Sequence, residues 1–278
     1  MIRKNVIELI ISISDEKNAF DLLESALSDI AKDALSLCLL ECGIIPEEFS
    51  PSSSEEKLWA KYCDILLAHT WSYIGIPSEV LRARGDSADV FGHIDGYSIV
   101  GDAKAFRLSR TAKNQKDFKI SALDDWRKSN TFASLVSPYF QYPNTRSQIY
   151  QQAIQRNITL LSYIHLKFIL DNFDNQDFTD LWNTAGNLAP TKSAPAYWGA
   201  IDNAVCSLVG QPADMLLEYR QVLAYKTKNL GQEGIIFWEA RIEEYKQLTQ
   251  QEAVKRLIHA EKIEAKIQTI RKAIDIRV

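Results

Sequence analysis

Cysteine is scarce: Cys38, Cys42, Cys63 and Cys206 are the only four in 278 residues, and none shows the paired short spacing of a zinc site. A chain this long is no small disulfide scaffold, so buried free thiols are expected. No apolar run is long enough to span a bilayer, and Met1 to Val6 does not open a secretory leader with an extended apolar stretch. A cytoplasmic protein with no membrane partner is therefore expected. The four histidines (His69, His93, His165, His259) are dispersed, without metal-ligand spacing or a nearby serine or cysteine nucleophile pattern. There is no internal repeat, low-complexity tract or Gly-rich phosphate loop. What remains is an ordinary globular composition, 46% apolar and 24% charged.

A net charge of -4 argues against a protein that coats nucleic acid indiscriminately, but the average hides one basic stretch. Residues 104–119 carry net charge +5, leaving -9 for the rest. Within them Lys104, Arg107, Arg110, Lys113, Lys116 and Lys119 recur at every third position, with Ser109, Thr111, Asn114 and Gln115 between as hydrogen-bonding groups. Such a run is either a solvated charged helix face or a segment laid along phosphates, with polar side chains reaching base edges. Period-three charge alone does not choose.

Immediately upstream, two apolar and β-branched runs flank Asp95-Gly96, a strong hairpin signal. A two-residue turn there pairs Ile94 with Tyr97, and each cross-strand pair then sums to 191, which sets Asp89 opposite Asp102. Carboxylates placed so, with β-carbons about 5 Å apart, repel unless something compensates them. A divalent cation would. Lys104, two residues beyond Asp102, shares the face of both acids. Two carboxylates and an amine suit metal-assisted phosphodiester hydrolysis, with Mg²⁺ held by the acids and Lys104 orienting water or stabilising negative charge. The bland alternative is an exposed hairpin with two separate surface aspartates.

Asp89 with Asp102-Ala103-Lys104 resembles the PD-(D/E)xK nuclease pattern, with Ala88 in place of the proline. The longer run from Asp102 to Lys119, then Pro138-Tyr-Phe-Gln-Tyr-Pro143 and Ser147-Gln-Ile149, resembles the HindIII-like type II restriction endonucleases, as do Pro51-Ser-Ser, Glu56-Lys-Leu and Arg84-Gly85. The match is good over about residues 45 to 170 and loose beyond. The resemblance implies a homodimeric, Mg²⁺-dependent enzyme of EcoRI-type architecture that cuts double-stranded DNA at the palindrome AAGCTT after its first adenine. Four-base 5′ extensions would result, and a cognate DNA methyltransferase is expected in the same cell. It matches Asp102 and Lys104 to the DxK element, Asp89 to the first acid, and Arg110 through Asp117 to the DNA-reading segment. Arg84, Arg107, Ser109, Arg110, Thr111, Lys113, Asn114, Lys116, Asp117 and Lys119 are thus the expected DNA contacts, Arg107 and Lys119 as phosphate clamps. An acidic residue stands in the family where this chain has Arg82. Two other readings stay open: a non-catalytic sequence-specific DNA-binding protein, and a repair-type nuclease with the same active site.

Ser53-Ser-Glu-Glu56 reads as a capping box opening an amphipathic helix, which gives Glu56 a structural task, yet a helix glutamate could also join Asp89 and Asp102 as a metal ligand. Strands near 89–106, 132–136 and 158–163, interleaved with helices, predict an α/β fold with a mixed β-sheet flanked by helices. The aromatic loop between Pro138 and Pro143 is a packed turn or a DNA-facing loop. Loop composition at 187–195 suggests a boundary between a nuclease core (1–186) and a mainly helical part (187–278) that packs on the core or forms a dimer contact. Apolar stripes there, Met215, Tyr219, Val222 and Leu223, then Ile263, Ile267, Ile270 and Ile274, suit either use.

Overall fold

The computed structural model describes residues 3–82, 87–110 and 115–274, with the backbone alone at 115, 116, 269 and 272–274. Three helices, α1 (Arg3–Ile13), α2 (Ala19–Leu27) and α3 (Lys32–Cys38), precede the long α4 (Ser54–Tyr73). Strands β1 (Ser78–Val80), β2 (Val90–Ile94) and β3 (Tyr97–Ala103) follow, then the short α5 (Gln115–Phe118), α6 (Ile120–Arg127) and β4 (Phe132–Ser137). Helix α7 (Gln148–Arg156), β5 (Ile158–Ser162), α8 (Tyr163–Asn172), α9 (Thr179–Thr184) and α10 (Ala194–Leu208) complete the sheet's surroundings. Three helices end the chain: α11 (Ala213–Lys246), α12 (Gln250–Ala260) and α13 (Ile263–Ile274).

The strands form one mixed sheet in the order β1-β2-β3-β4-β5, antiparallel through β3 and parallel thereafter. Asp95-Gly96 makes the turn, Gly96 taking the positive φ of 102° that glycine tolerates, and Ile94 pairs with Tyr97 and Val90 with Gly101. This is the register the dipeptide predicts. Every residue of β4 and β5 is buried, as expected of parallel strands covered on both faces. Helix α4 lies against β1, β2 and β3, α6 against β3 and β4, and α9 against β4 and β5. The fold is thus α/β, a mixed sheet flanked by helices, with a helical C-terminal part. Strand β1, only three residues long, is too short to leave a periodic signal and goes unnoticed in the sequence.

Helix α4 positions the rest. It buries Trp59, Cys63, Leu66, Leu67 and Trp71, so its apolar surface is broad and its helical periodicity weak. Its approach to β3 is close: a β-carbon on Gly101 would lie 2.5 Å from the Trp71 ring and 3.0 Å from Leu67, so glycine is required by contact rather than by backbone angle. All four cysteines are buried and free of disulfides. The 138–143 loop is a packed turn at its centre. Tyr142 is buried, its hydroxyl donating to the carbonyls of Leu135 and Leu161 at 3.2 and 2.9 Å, and its ring stacks on Phe118.

A second polar cluster lies away from the hairpin. The Ser162 N–H donates to His165 Nδ1 at 3.1 Å, so Nε2 carries the proton and donates to Asp202 Oδ1 at 3.0 Å. Arg220 also pairs with Asp202. The order Ser, His, Asp imitates a hydrolase triad, but Ser162 and His165 are fully buried, and burial lowers the His165 pKa despite the neighbouring Asp202. The cluster ties α8 to α10 and α11.

The chain divides into two compact units, Met1–Gly231 and Gln232–Val278. In the first, Leu216 of α11 is buried and Met215 and Tyr219 pack against the core, while Val222 is exposed. In the second, Thr249 and Glu252 form a capping box for α12, which buries none of its residues. Val254, Leu257, Ile258, Ile263, Ile267 and Ile270 are all exposed there. The 263–270 stripe is therefore a surface in this chain, not a core.

Candidate active site

The hairpin and α4 bring three carboxylates together. Asp102 sits near the end of β3 and is 1% exposed. Asp89 immediately precedes β2, and its N–H donates to the Gly101 carbonyl at 3.1 Å, which carries the antiparallel ladder one residue past the strand. Asp64 comes from the middle of α4, buried between Cys63 and Ile65. One oxygen from each of Asp64, Asp89 and Asp102 lies within 4.8 Å of the others.

Two lysines face these acids. Lys104 Nζ is 2.5 Å from Asp102 Oδ2. Its backbone is fixed on both sides: its N–H donates to the Val136 carbonyl at 2.8 Å, and its own carbonyl accepts from the Tyr163 hydroxyl at 3.0 Å. Lys61, one turn before Asp64 on α4, donates to Asp64 Oδ2 at 3.1 Å and to Asp89 Oδ1 at 2.6 Å.

The electrostatics are dominated by burial. Burial pushes the Asp64 pKa well above the usual carboxylate range, Asp89 and Asp102 add to the rise, and Lys61 only partly opposes it. Burial also raises Asp102, with Lys104 opposing. Burial would lower Lys61, but Asp64 and then Asp89 outweigh it and hold the ammonium charged. Asp64 Oδ1 and both oxygens of Asp102 are buried without a hydrogen bond of acceptable geometry, the contact of Lys104 with Asp102 being a close ion pair only. Unsatisfied buried carboxylate oxygens are costly, and a hard divalent cation with oxygen ligands satisfies them. The three residues fit such an ion.

Asp89, Asp102 and Lys104 are thus brought together. Glu56 is not: it lies two turns before Asp64 on α4, and its partners are elsewhere. Its N–H donates to Ser53 Oγ at 3.2 Å, its carboxylate accepts from the Ser52 N–H, and Oε1 pairs with Arg107 Nη1 at 2.6 Å. Only half of the expected capping box forms, since Ser53 caps the Glu56 N–H while the Glu56 carboxylate turns to Ser52 and Arg107, and Asp64 stands in the cluster that Glu56 was a candidate to join. A signal for Asp64 existed, since a lone carboxylate inside the apolar run Cys63 to Leu67 has no solvent-facing reason to be there.

The basic stretch is held by acids where it leaves the sheet. Phe106 bridges to Ile44, Arg107 is tied to Glu56 and to the Phe49 carbonyl, and Glu47 accepts from Ser109 through both N–H and Oγ at 3.0 and 2.7 Å. Arg110 pairs with Asp117 and stacks over the Phe106 ring. Arg107 can reach a phosphate only by giving up its partners. Lys119 is exposed, with the positive φ of 48° at the start of α6. Arg84, Thr111, Lys113 and Asn114 lie outside the described residues, as does the side chain of Lys116. Arg82 pairs with Asp21 and Glu24 of α2.

Residues 4–274 match the model of the HindIII restriction endonuclease family. The chain is similar to the type II restriction enzyme HindIII of Haemophilus influenzae, 32% identical over 287 residues that span 96% of this chain and 95% of that protein. Among solved structures it is similar to the small subunit of the heterodimeric restriction endonuclease R.BspD6I, at a TM-score of 0.34 and 10% identity, covering 70% of this chain and 98% of the other. That structural likeness is too weak to weigh, and the sequence matches carry the assignment. With a match along nearly its whole length, the chain belongs to the HindIII restriction endonuclease family, the type II restriction enzymes.

Proposed function

We propose that this enzyme is a Mg²⁺-dependent homodimer that cleaves double-stranded DNA at AAGCTT after the first adenine, leaving four-base 5′ extensions. The observation that carries the chemistry is the set of buried, unsatisfied carboxylate oxygens on Asp64 and Asp102, with Asp89 beside them and Lys104 on their edge. Asp64, Asp89 and Asp102 would hold the ion. A magnesium ion supplies Lewis-acid chemistry at a phosphodiester. Lys104, fixed through its backbone to β4 and to Tyr163, presents its ammonium where negative charge develops on the scissile phosphate and orients the attacking water.

Residues 1–186 carry catalysis and DNA contact in this reading, and 187–278 pack on the core or meet a second subunit. Arg110 to Asp117 read base edges, while Arg107 and Lys119 contact phosphates. A palindromic target requires matching two-fold symmetry, and the exposed Ile263, Ile267 and Ile270 of α13 support a contact between copies. Action on DNA puts the enzyme in the cytoplasm, alongside a methyltransferase that protects the host's own sites.

Plasmid cleavage with mapped ends tests the reading. Discrete fragments cut within AAGCTT are expected, with Asp102→Asn and Lys104→Ala losing cleavage but retaining DNA binding. A smear would point instead to a repair-type nuclease, and sequence-specific binding without cleavage to a non-catalytic protein.

A further inference from the structure

We infer that Lys61 is a tethered cation that holds the acidic cluster before a divalent ion arrives and is displaced when the ion binds. The inference rests on reading Asp64, Asp89 and Asp102 as the ion's ligands. Its ammonium spans two of the three, at 2.6 Å from Asp89 Oδ1 and 3.1 Å from Asp64 Oδ2, and so bridges α4 to the strand hairpin. Both oxygens belong to carboxylates that would converge on one ion. An ammonium and a divalent cation crowded against the same three carboxylates repel each other strongly, so their occupancies compete.

The two lysines of the site differ in how they are held. Lys104 is 21% exposed in its side chain and sits in a stretch fixed by backbone hydrogen bonds to β4 and Tyr163. Lys61 is 35% exposed, on a flexible four-carbon stem with both of its contacts at the ammonium. It can withdraw towards solvent without moving the backbone. Before the ion binds, its charge offsets part of the repulsion among three carboxylates that would otherwise be costly to hold within 4.8 Å. Affinity for the ion is lowered in exchange.

The test is Mn²⁺ binding, followed by electron paramagnetic resonance or calorimetry on the full chain without DNA. Each partly exposed ion pair contributes up to about fivefold to an equilibrium constant, so Lys61→Met should bind Mn²⁺ roughly three- to tenfold more tightly than the parent. Lys61→Arg, which keeps the charge, should stay within about twofold of it. Unchanged or weaker binding by Lys61→Met overturns the inference. Should Lys61→Met fail to fold, the melting-temperature rise induced by Mn²⁺ in Lys61→Gln serves instead: a larger rise than in the parent supports the competition, and an equal or smaller one refutes it. Asp102→Asn separates this inference from the reading beneath it. If Asp102→Asn binds Mn²⁺ as the parent does, the ion site itself is wrong. If it loses binding while Lys61→Met gains none, only the role of Lys61 falls.

Discussion

Replacing Asp64 with asparagine should make the metal-free protein more stable and the enzyme worse. Asp64 is buried, its Oδ1 has no hydrogen-bond partner, and two other carboxylates lie within 4.8 Å. Asparagine keeps the shape and an oxygen that can accept from Lys61, while removing a charge that is desolvated and repelled. An unsatisfied buried polar group costs about 1–3 kcal/mol, and loss of half the ion pair with Lys61 offsets part of the gain. A net stabilisation of about 1–2 kcal/mol is expected, which for a folding unit of this size is about 2–8 °C in melting temperature. Cleavage with Mg²⁺ should fall at least about a hundredfold, the scale on which groups acting at developing charge are felt. The assay is thermal unfolding in chelator alongside plasmid cleavage. The pH dependence has a definite sign. Because the folded state raises the Asp64 pKa above its ordinary 3.8, it binds the proton more readily than the unfolded chain, so the contribution of Asp64 to the parent's stability falls as pH rises above that value. The advantage of Asp64→Asn should therefore shrink as pH is lowered towards 3.8. A variant less stable than the parent in chelator at neutral pH would refute the electrostatic argument, and one that cuts normally would remove Asp64 from the site.

Three further outcomes follow from the geometry. Glu56→Gln keeps an acceptor for the Ser52 N–H and loses the ionic part of the Arg107 contact, so it should cost about 1 kcal/mol or less and leave cleavage nearly intact; a loss as deep as that of Asp102→Asn would make Glu56 a ligand after all. Gly101→Ala drives a methyl into the fully buried Trp71 ring and should destabilise by about 1–3 kcal/mol in denaturant titration, and an unchanged midpoint would contradict the close approach of α4 to β3. His165 is held neutral by burial, so its contribution is complete above its ordinary pKa of 6.5 and is lost as pH falls towards the lowered folded value. Relative to His165→Gln, the parent's denaturation midpoint should drop over that range; parallel curves would show that His165 is not the titrating group.

The carboxylates show where legibility stopped. Asp89 and Asp102 were paired by counting outwards from a two-residue turn, because an antiparallel register is an arithmetic consequence of its turn. Asp64 escaped because no local rule relates a position in a helix to one in a hairpin 25 residues further on. Glu56 is legible as a cap because capping is local. The aromatic loop was ambiguous for a similar reason: Tyr142 is anchored by carbonyls of two strands, one of them beyond it in the chain.

The sequence by itself determined what depends on neighbours along the chain: the hairpin and its register, the helix start at Ser53, the buried apolar runs that became β4 and β5, the concentration of positive charge at 104–119, and the likeness to a family of restriction enzymes. Only the tertiary structure decided which charges meet. It brought Asp64 and Lys61 to the hairpin acids, turned Arg107 and Arg110 towards acidic partners, and left Ile263, Ile267 and Ile270 on the surface. Periodicity and turn chemistry act over a few residues, whereas the energy of a buried charge depends on every group around it in space, and that arrangement exists only once α4 has docked against β3.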